Sequence, residues 1–366
     1  MIKLADAASS AAGHALKGLS LRIVSATRRR RPVTAHGLTD GVVLPKTSLT
    51  GAPGEYGLWF GPDFSSHAVL GEVLVDDGRR VRREVKGSSV PLGKFKAHMT
   101  GHIANRPEDV GLTHSEVTIP TSDGQAFPAW HFAGDPNRWV IHVQGIRTSR
   151  ALTLRTVGPV STAGLTSLSI AYRGAGDGPP QATSTLGLTE WRDVADAITF
   201  ARTRGARDIT LVGWSMGAGI ALETARRHPD LVDRLVLICP ATNWRPIIAQ
   251  GAKTAGLPPF VAKVMLWLLS SRGGSSAAGL PEPLDFDLLN WTRPGALHVP
   301  ALVIHTSGDE EIPLELSRAF ANAHPSHVTL VETAAAPHGW EQNADPARFN
   351  RTIQQFLFQD YVDSES

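Results

Sequence analysis

The short buried strand Asp208-Ile209-Thr210-Leu211-Val212-Gly213 runs straight into Trp214-Ser215-Met216-Gly217, and an alanine-rich helical stretch from Met216 to about Arg227 leaves it. A strand that becomes a helix within so few residues must pass through a backbone conformation that most side chains resist. Gly213 and Gly217 meet that need, because a side chain at either position would collide across the tight turn. Gly219 is expected to let the helix approach the neighbouring strand closely. Ser215 is then left at the apex with its hydroxyl projecting above the sheet. Glycine and serine are common, so the five letters Gly-Trp-Ser-Met-Gly mean little alone. The strand before them and the helix after give them weight.

Around this turn strands and helices alternate. Trp139-Val140-Ile141-His142-Val143 ends at Gly145, and Leu165 to Tyr172 is the next strand. Thr189 to Arg204 carries Val194, Ala197, Ile198 and Ala201 at helical spacing. Arg234 to Cys239, Ala301 to His305 and Val328-Thr329-Leu330-Val331 read as further strands, before a final helix around Phe349 to Phe358. Ahead of them, Val117 and Ile119 alternate with polar residues, Asp123-Gly124 turns, and Ala129-Trp130-His131-Phe132 returns. A hairpin followed by such units predicts an α/β fold over residues 115–366: a doubly wound, mostly parallel sheet with an antiparallel start. About 60 residues separate Cys239 from Ala301, more than a simple crossover needs. They hold Phe260, Val264, Met265, Leu266, Trp267 and Leu268, then a loose Ser270 to Gly279 stretch. Residues 243–298 are therefore expected to form a lid over the C-terminal edge of the sheet; the alternative is a core helix with a long loop.

Residues 1–114 differ in kind. Tyr56-Gly57-Leu58-Trp59-Phe60 and Ala68 to Val75 read as strands, and Asp76-Asp77-Gly78 is a hairpin turn returning through Val81 and Val85. This small β-rich extension carries no constellation of catalytic residue types. Before it, Leu4, Ala8, Ala11, Ala15 and Leu19 make a helical stripe that ends at Arg28-Arg29-Arg30-Arg31-Pro32. The stripe is expected to pack on the protein itself or on a second copy in a homo-oligomer, with a membrane-surface helix as the alternative. Asp6, Ser9, Ser10, His14 and Lys17 break any secretory apolar core. The longest uncharged apolar stretch, Ile209 to Leu222, is shorter than the ~18 residues of a membrane span. A soluble, cytoplasmic protein without a transmembrane segment is expected. A net charge of +2 leaves no footprint for nucleic acid. The single cysteine, Cys239, excludes an intramolecular disulfide and reads as buried packing at a strand end.

A serine hydroxyl becomes a useful nucleophile only beside a base that an acid orients. In a turn of this kind the order along the chain is serine, acid, histidine. Downstream of Ser215, Asp309 lies in the loop Ser307-Gly308-Asp309-Glu310-Glu311-Ile312-Pro313 directly after a strand, and His338 lies in the loop Pro337-His338-Gly339-Trp340. Both loops fall where they can converge on Ser215. His228 caps a helix, His298 precedes a strand at its far end, and His305 closes a strand and can pack locally. His324 and His327 sit on the wrong edge. Among the acids, Glu310 and Glu311 point away if Asp309 points in, and Asp285 and Asp287 lie in the insertion. An oxyanion needs preorganised donors. The backbone N–H of Met216 is one, and that of Ile146, in Gln144-Gly145-Ile146, is the expected second.

Over about two-thirds of its length, from residue 115 to 360, the chain resembles the α/β-hydrolase superfamily. The matching pieces are Gly213-Trp214-Ser215-Met216-Gly217, the Gly-Asp-x-x-Ile-Pro turn at Gly308 to Pro313, and His338-Gly339. The resemblance implies Ser215 as nucleophile, Asp309 as acid and His338 as general base. Many relatives carry His-Gly before the oxyanion residue, where Gln144 stands here, so the side-chain bonding that stiffens this loop must differ. Arg147-Thr148-Ser149-Arg150 and Tyr172-Arg173 resemble structural segments of bacterial members. The expected reaction is hydrolysis of a small-molecule carboxylic ester through a Ser215 acyl-enzyme. The apolar Phe260, Met265, Leu266 and Trp267 of the insertion favour an acyl substrate. Alternatives are a peptidase like the prolyl-oligopeptidase branch, an acyltransferase, and, in a different class, a non-catalytic binding protein on this fold. No metal is expected without an H-E-x-x-H or Cys/His cluster. No nucleotide cofactor is expected either, because Gly174-Ala175-Gly176-Asp177-Gly178 opens no helix and reads as a loop.

Overall fold

The computed structural model describes residues 18, 20–21, 23–25, 32–295 and 297–362. The basic turn at 28–31 and all five residues of the N-terminal stripe lie outside them. Residues 115–362 build an eight-stranded sheet from β7 (Ser115–Pro120), β8 (Ala126–Phe132), β9 (Asp135–Val143), β10 (Leu165–Ile170), β11 (Asp208–Trp214), β12 (Arg234–Ile238), β13 (Ala301–Thr306) and β14 (Val328–Thr333). The order across it is β14-β13-β12-β11-β9-β10-β8-β7. β7 and β8 pair antiparallel, as do β8 and β10; the remaining neighbours are parallel. This is the expected doubly wound sheet with an antiparallel start.

Its helices are α1 (Leu154–Thr162), α2 (Trp191–Arg202), α3 (Met216–Arg227), α4 (Trp244–Thr254), α5 (Pro259–Ser270), α6 (Arg272–Ala277), α7 (Leu314–Ala323), α8 (Glu341–Ala344) and α9 (Pro346–Val362). Side chains alternate along the central strands, so each strand serves two cores. Ile141, Val143, Leu211 and Leu237 pack with α2 and α3 on one face. Val140, Val212, Trp214 and Val236 pack with α1 and α9 on the other. β11 and β12 are continuous buried runs, which is why their strand character was plain. Helices α1 and α7 are further crossovers, in segments that the apolar spacing does not predict to be helical.

The N-terminal extension goes further than a β-rich element. β1 (Val33–Leu38), β2 (Gly41–Pro45), β3 (Tyr56–Phe60), β4 (Ser66–Asp76), β5 (Arg80–Lys86) and β6 (Gly93–Thr100) close into a barrel in the order β1-β2-β5-β4-β3-β6. β4 and β5 are joined by the Asp76-Asp77-Gly78 turn, where Gly78 takes φ 83° and Asp77 Oδ1 accepts from the N–H of Arg79 and Arg80. Closure pairs β1 with β6, from Val33↔Ala97 to Gly37↔Gly93, and leaves no free edge. Among the described residues no helix is long and apolar enough to cross a membrane.

Candidate active site

Ser215 has φ 53° and ψ −115°, a conformation costly for any residue with a side chain. Two backbone bonds to the next strand and its loop hold it there: its N–H donates to Ile238 O at 2.8 Å, and its carbonyl accepts from Ala241 N–H at 3.1 Å. The flanking glycines are sterically required. A Cβ on Gly213 would lie 2.4 Å from Ala218 Cα, and one on Gly217 would lie 2.3 Å from Val143 O. Gly219 does not play the part expected of it. A Cβ there would meet Ala241 O at an ordinary 3.5 Å, so close approach is not what its lack of a side chain secures.

Three loops at the C-terminal edge of the sheet bring Ser215, His338 and Asp309 together. Ser215 Oγ lies 3.0 Å from His338 Nε2, and His338 Nδ1 lies 2.6 Å from Asp309 Oδ2. A carboxylate only accepts, so His338 carries a proton on Nδ1, and in the neutral form of the ring Nε2 is free to accept from the serine hydroxyl. The Asp309 side chain is wholly buried. Its Oδ1 accepts from the N–H groups of Glu311 and Ile312, both at 2.8 Å, which closes the turn and aims the carboxylate inward. Glu310 and Glu311 are exposed, as are Asp285 and Asp287.

Asp309 Oδ2 serves a second histidine. His305 Nε2 donates to it at 3.1 Å, while His305 Nδ1 accepts from the Ser317 hydroxyl at 2.7 Å. His305 therefore bonds locally, as its strand-end position allowed, and its partner is the acid itself. His324 is buried against Trp291 O, His298 is exposed, and His228 caps α3. None of these three approaches Ser215 through any hydrogen bond among the described residues.

Cys239 follows β12 with φ 40° and no exposure. Its sulfur, an Asp309 oxygen and a His338 nitrogen lie within 4.8 Å of one another. A cation held there would have to displace the hydrogen bonds that already occupy both Asp309 oxygens. The donor set consequently fits a hydrogen-bonded cluster better than a metal site. Burial pushes the Cys239 thiol up to about 12, so it is a neutral neighbour of His338.

Beside Ser215 runs the Gln144-Gly145-Ile146 loop, where a Cβ on Gly145 would sit 3.3 Å from Ser215 Cβ. Neither Ile146 N–H nor Met216 N–H donates to another group among the described residues. Gln144 is fully buried and its amide finds no partner among the described residues. The loop is braced differently: Tyr172 Oη lies 3.2 Å from both Gln144 O and Gly145 O, and Thr148 Oγ1 donates to Gly145 O at 2.8 Å. The role of Tyr172 is structural, as the resemblance implies, and its contact with this loop joins segments that no local pattern links. Arg173 does pair structurally, with Asp193 and Asp123.

Residues 134–289 match a family model described as serine aminopeptidase, S33. A 2-hydroxymuconate semialdehyde hydrolase of Pseudomonas putida is 32% identical over 194 residues, which cover 45% of this chain and 68% of that one. The chain belongs to the α/β-hydrolase superfamily. Protein ABHD12B of Homo sapiens is similar at 27% identity over 64% of each chain, so this hydrolase spans about two thirds of the length of these curated relatives. The solved esterase Pf2001 of Pyrococcus furiosus shares the fold at a TM-score of 0.56, with 19% identity over 70% of this chain and 95% of its own. The barrel region of the hydrolase, residues 32–94, matches a domain of unknown function, DUF8805.

Proposed function

We propose that this α/β-hydrolase cleaves carboxylic esters of small molecules by acyl transfer to water, with Ser215 as nucleophile, His338 as general base and Asp309 as the orienting acid. The reading rests on one observation, the continuous hydrogen-bonded line from Ser215 Oγ through His338 to Asp309 Oδ2. Ser215 Oγ attacks the ester carbonyl and His338 Nε2 takes its proton. The same nitrogen then returns that proton to the departing alkoxide, leaving an acyl-enzyme. Water attacks next, activated by His338, and Ser215 is released. The N–H groups of Met216 and Ile146 are the proposed donors to the oxyanion, each worth roughly 10²–10³ in rate.

Residues 243–298 are the proposed lid. Gln250 Nε2 donates to Glu310 O at 3.3 Å and Thr183 Oγ1 donates to Gly279 O at 2.9 Å, which ties the insertion to loops at the C-terminal edge. Met265 is buried and Leu266 half-buried, so Phe260 and Trp267, 62% and 66% exposed, are the apolar groups left for an acyl chain. A second reading, cleavage of aminoacyl substrates, is favoured by the peptidase description of the matching family model.

Labelling with a serine-reactive fluorophosphonate tests the nucleophile: the wild type should label once and Ser215→Ala not at all. A chain-length series of p-nitrophenyl esters run beside aminoacyl amides separates the two substrate classes. Ser215→Ala should lower turnover by roughly 10⁴-fold or more while leaving the fold intact. Unchanged turnover in that variant would refute the assignment.

A further inference from the structure

His338 lies in an irregular stretch between β14 and α8, yet it must meet Ser215 and Asp309 at once. Such a loop needs a brace, since a misplacement of about 1 Å can cost 10²-fold in rate. The brace comes from the N-terminal barrel. Trp340, two residues beyond His338, is 8% exposed and belongs to the same buried cluster as Tyr56, Leu58, Phe60 and Val81 of the barrel. Its ring centroid lies 4.3 Å from that of Tyr56. Gly101, just past β6, makes room for it: a Cβ there would lie 2.7 Å from Trp340 Cδ1.

Asn343 adds a polar grip. Its Nδ2 donates to Glu55 O and Gly101 O, both at 2.7 Å, and its Oδ1 accepts from Arg155 Nη1 at 2.7 Å. The same Arg155 nitrogen donates to Gly339 O at 2.6 Å, the residue next to His338. Gly54 is again bare where the chain passes, since a Cβ there would fall 1.9 Å from Asn343 O. The histidine loop is thus clamped between the barrel on one side and α1 on the other.

Resting on the proposed roles of Ser215 and His338, we propose that the barrel is a positioning element for the catalytic histidine, acting through the positioning residues Trp340 and Asn343. Loosening the barrel's hold should slow the chemistry on bound substrate while leaving substrate binding alone.

The test uses the full chain as Trp340→Ala, Trp340→Phe, Gly101→Ala and the double variant Gly101→Ala/Trp340→Ala. Rates of p-nitrophenyl ester hydrolysis are normalised to the end point of fluorophosphonate labelling, so unfolded protein is not counted. Trp340→Ala is expected to lower kcat per labelled site by ~10-fold or more with KM within about twofold, and Trp340→Phe to recover most of it. Gly101→Ala, which presses on Trp340 from the barrel side, should lower kcat in the wild-type background and add less once the indole is gone, when its remaining close contact is Arg155 Nη1 at 3.0 Å. A kcat per labelled site within twofold of wild type in both Trp340→Ala and Gly101→Ala overturns the inference. If Trp340→Ala does not fold, Gly101→Ala alone decides by the same measure. Absence of label on wild-type Ser215 would instead bring down the triad reading, and this inference with it.

Discussion

At the scale of single residues, the site is governed by what burial does to three neighbouring groups. Burial works against a charge on His338, but the neighbours it touches, Cys239 through a hydrogen bond and Asp309 through its charge and hydrogen bond, outweigh that and hold the imidazole above the usual histidine range. With the Cys239 thiol neutral, the anion responsible is Asp309. Burial would raise Asp309 as well, yet His338, His305 and the N–H of Ile312 hold its carboxyl far below the usual carboxylate range. Asp309 is therefore ionised over the range in which His338 titrates. A base must be neutral to act, so kcat/KM should rise with pH through a midpoint above ~6.5 and level off beyond it. The rate of fluorophosphonate labelling against pH reads that midpoint directly, and a value at or below the ordinary histidine range would contradict the geometry. A second residue-level expectation concerns Tyr172. Burial raises its phenol well above the usual range, so it remains a donor to the Gln144–Gly145 loop, the proposed carrier of one oxyanion donor. Tyr172→Phe should lower kcat by up to ~10-fold with KM little changed, less than the 10²–10³ lost when an oxyanion donor is removed outright. A kcat within twofold of wild type would mean that Thr148 alone suffices to hold the loop.

Among the elements, β11 to β13 were legible because each is an almost wholly buried, mostly aliphatic run ending where a loop must begin, whereas β14 is only half-buried. Ser215, Asp309 and His338 were legible for the same reason: each follows a recognisable strand at its C-terminal end. The bracing was not. Tyr172 and Cys239 act through contacts made by separate strands lying side by side, and nothing in their own segments marks those contacts; His305 instead pairs with the acid four residues on. Barrel closure escaped too, because β6 alternates Lys94 and Lys96 with Phe95 and Ala97 like any half-exposed strand, and only its pairing with β1 closes the barrel. β9 also carries a stability prediction. His142 is fully buried between Thr156 Oγ1 at 3.0 Å and Ser167 Oγ at 3.1 Å, and burial pushes its imidazole down to about 3. The unfolded chain would take up a proton near the ordinary value, so between about 6.5 and 3 it binds protons that the fold refuses. Stability is whole above that window and falls as pH drops through it, by on the order of 4 kcal/mol at its lower end. Urea midpoints measured for wild type and His142→Gln should diverge in this window, the wild type losing more as pH falls. Parallel pH curves would show that His142 is not the group responsible.

For the whole molecule, the barrel and the sheet meet at the histidine loop, so the barrel's own integrity becomes a matter for the active site. Its interior is held by Arg83, fully buried and surrounded by carbonyls. Arg83 Nη1 donates to Thr50 O at 3.0 Å and Ala52 O at 2.7 Å, Nη2 to Gly54 O at 2.6 Å, and Nε to Gly71 O at 3.0 Å. One guanidinium thus ties the β2–β3 connection to β4, immediately beside the Glu55 and Tyr56 that grip Asn343 and Trp340. Arg83→Leu would keep the volume roughly apolar but strand those four carbonyls without donors, at a cost of about 1–3 kcal/mol for each one that water cannot reach. The loss should be local. Amide hydrogen exchange should quicken across residues 41–60 and 69–86 while β9 to β13 stay protected, and turnover should fall together with the barrel's protection. Exchange quickening equally throughout would mean that barrel and sheet open as one cooperative unit. Unchanged exchange in the barrel would mean that its closure, and not Arg83, carries the stability.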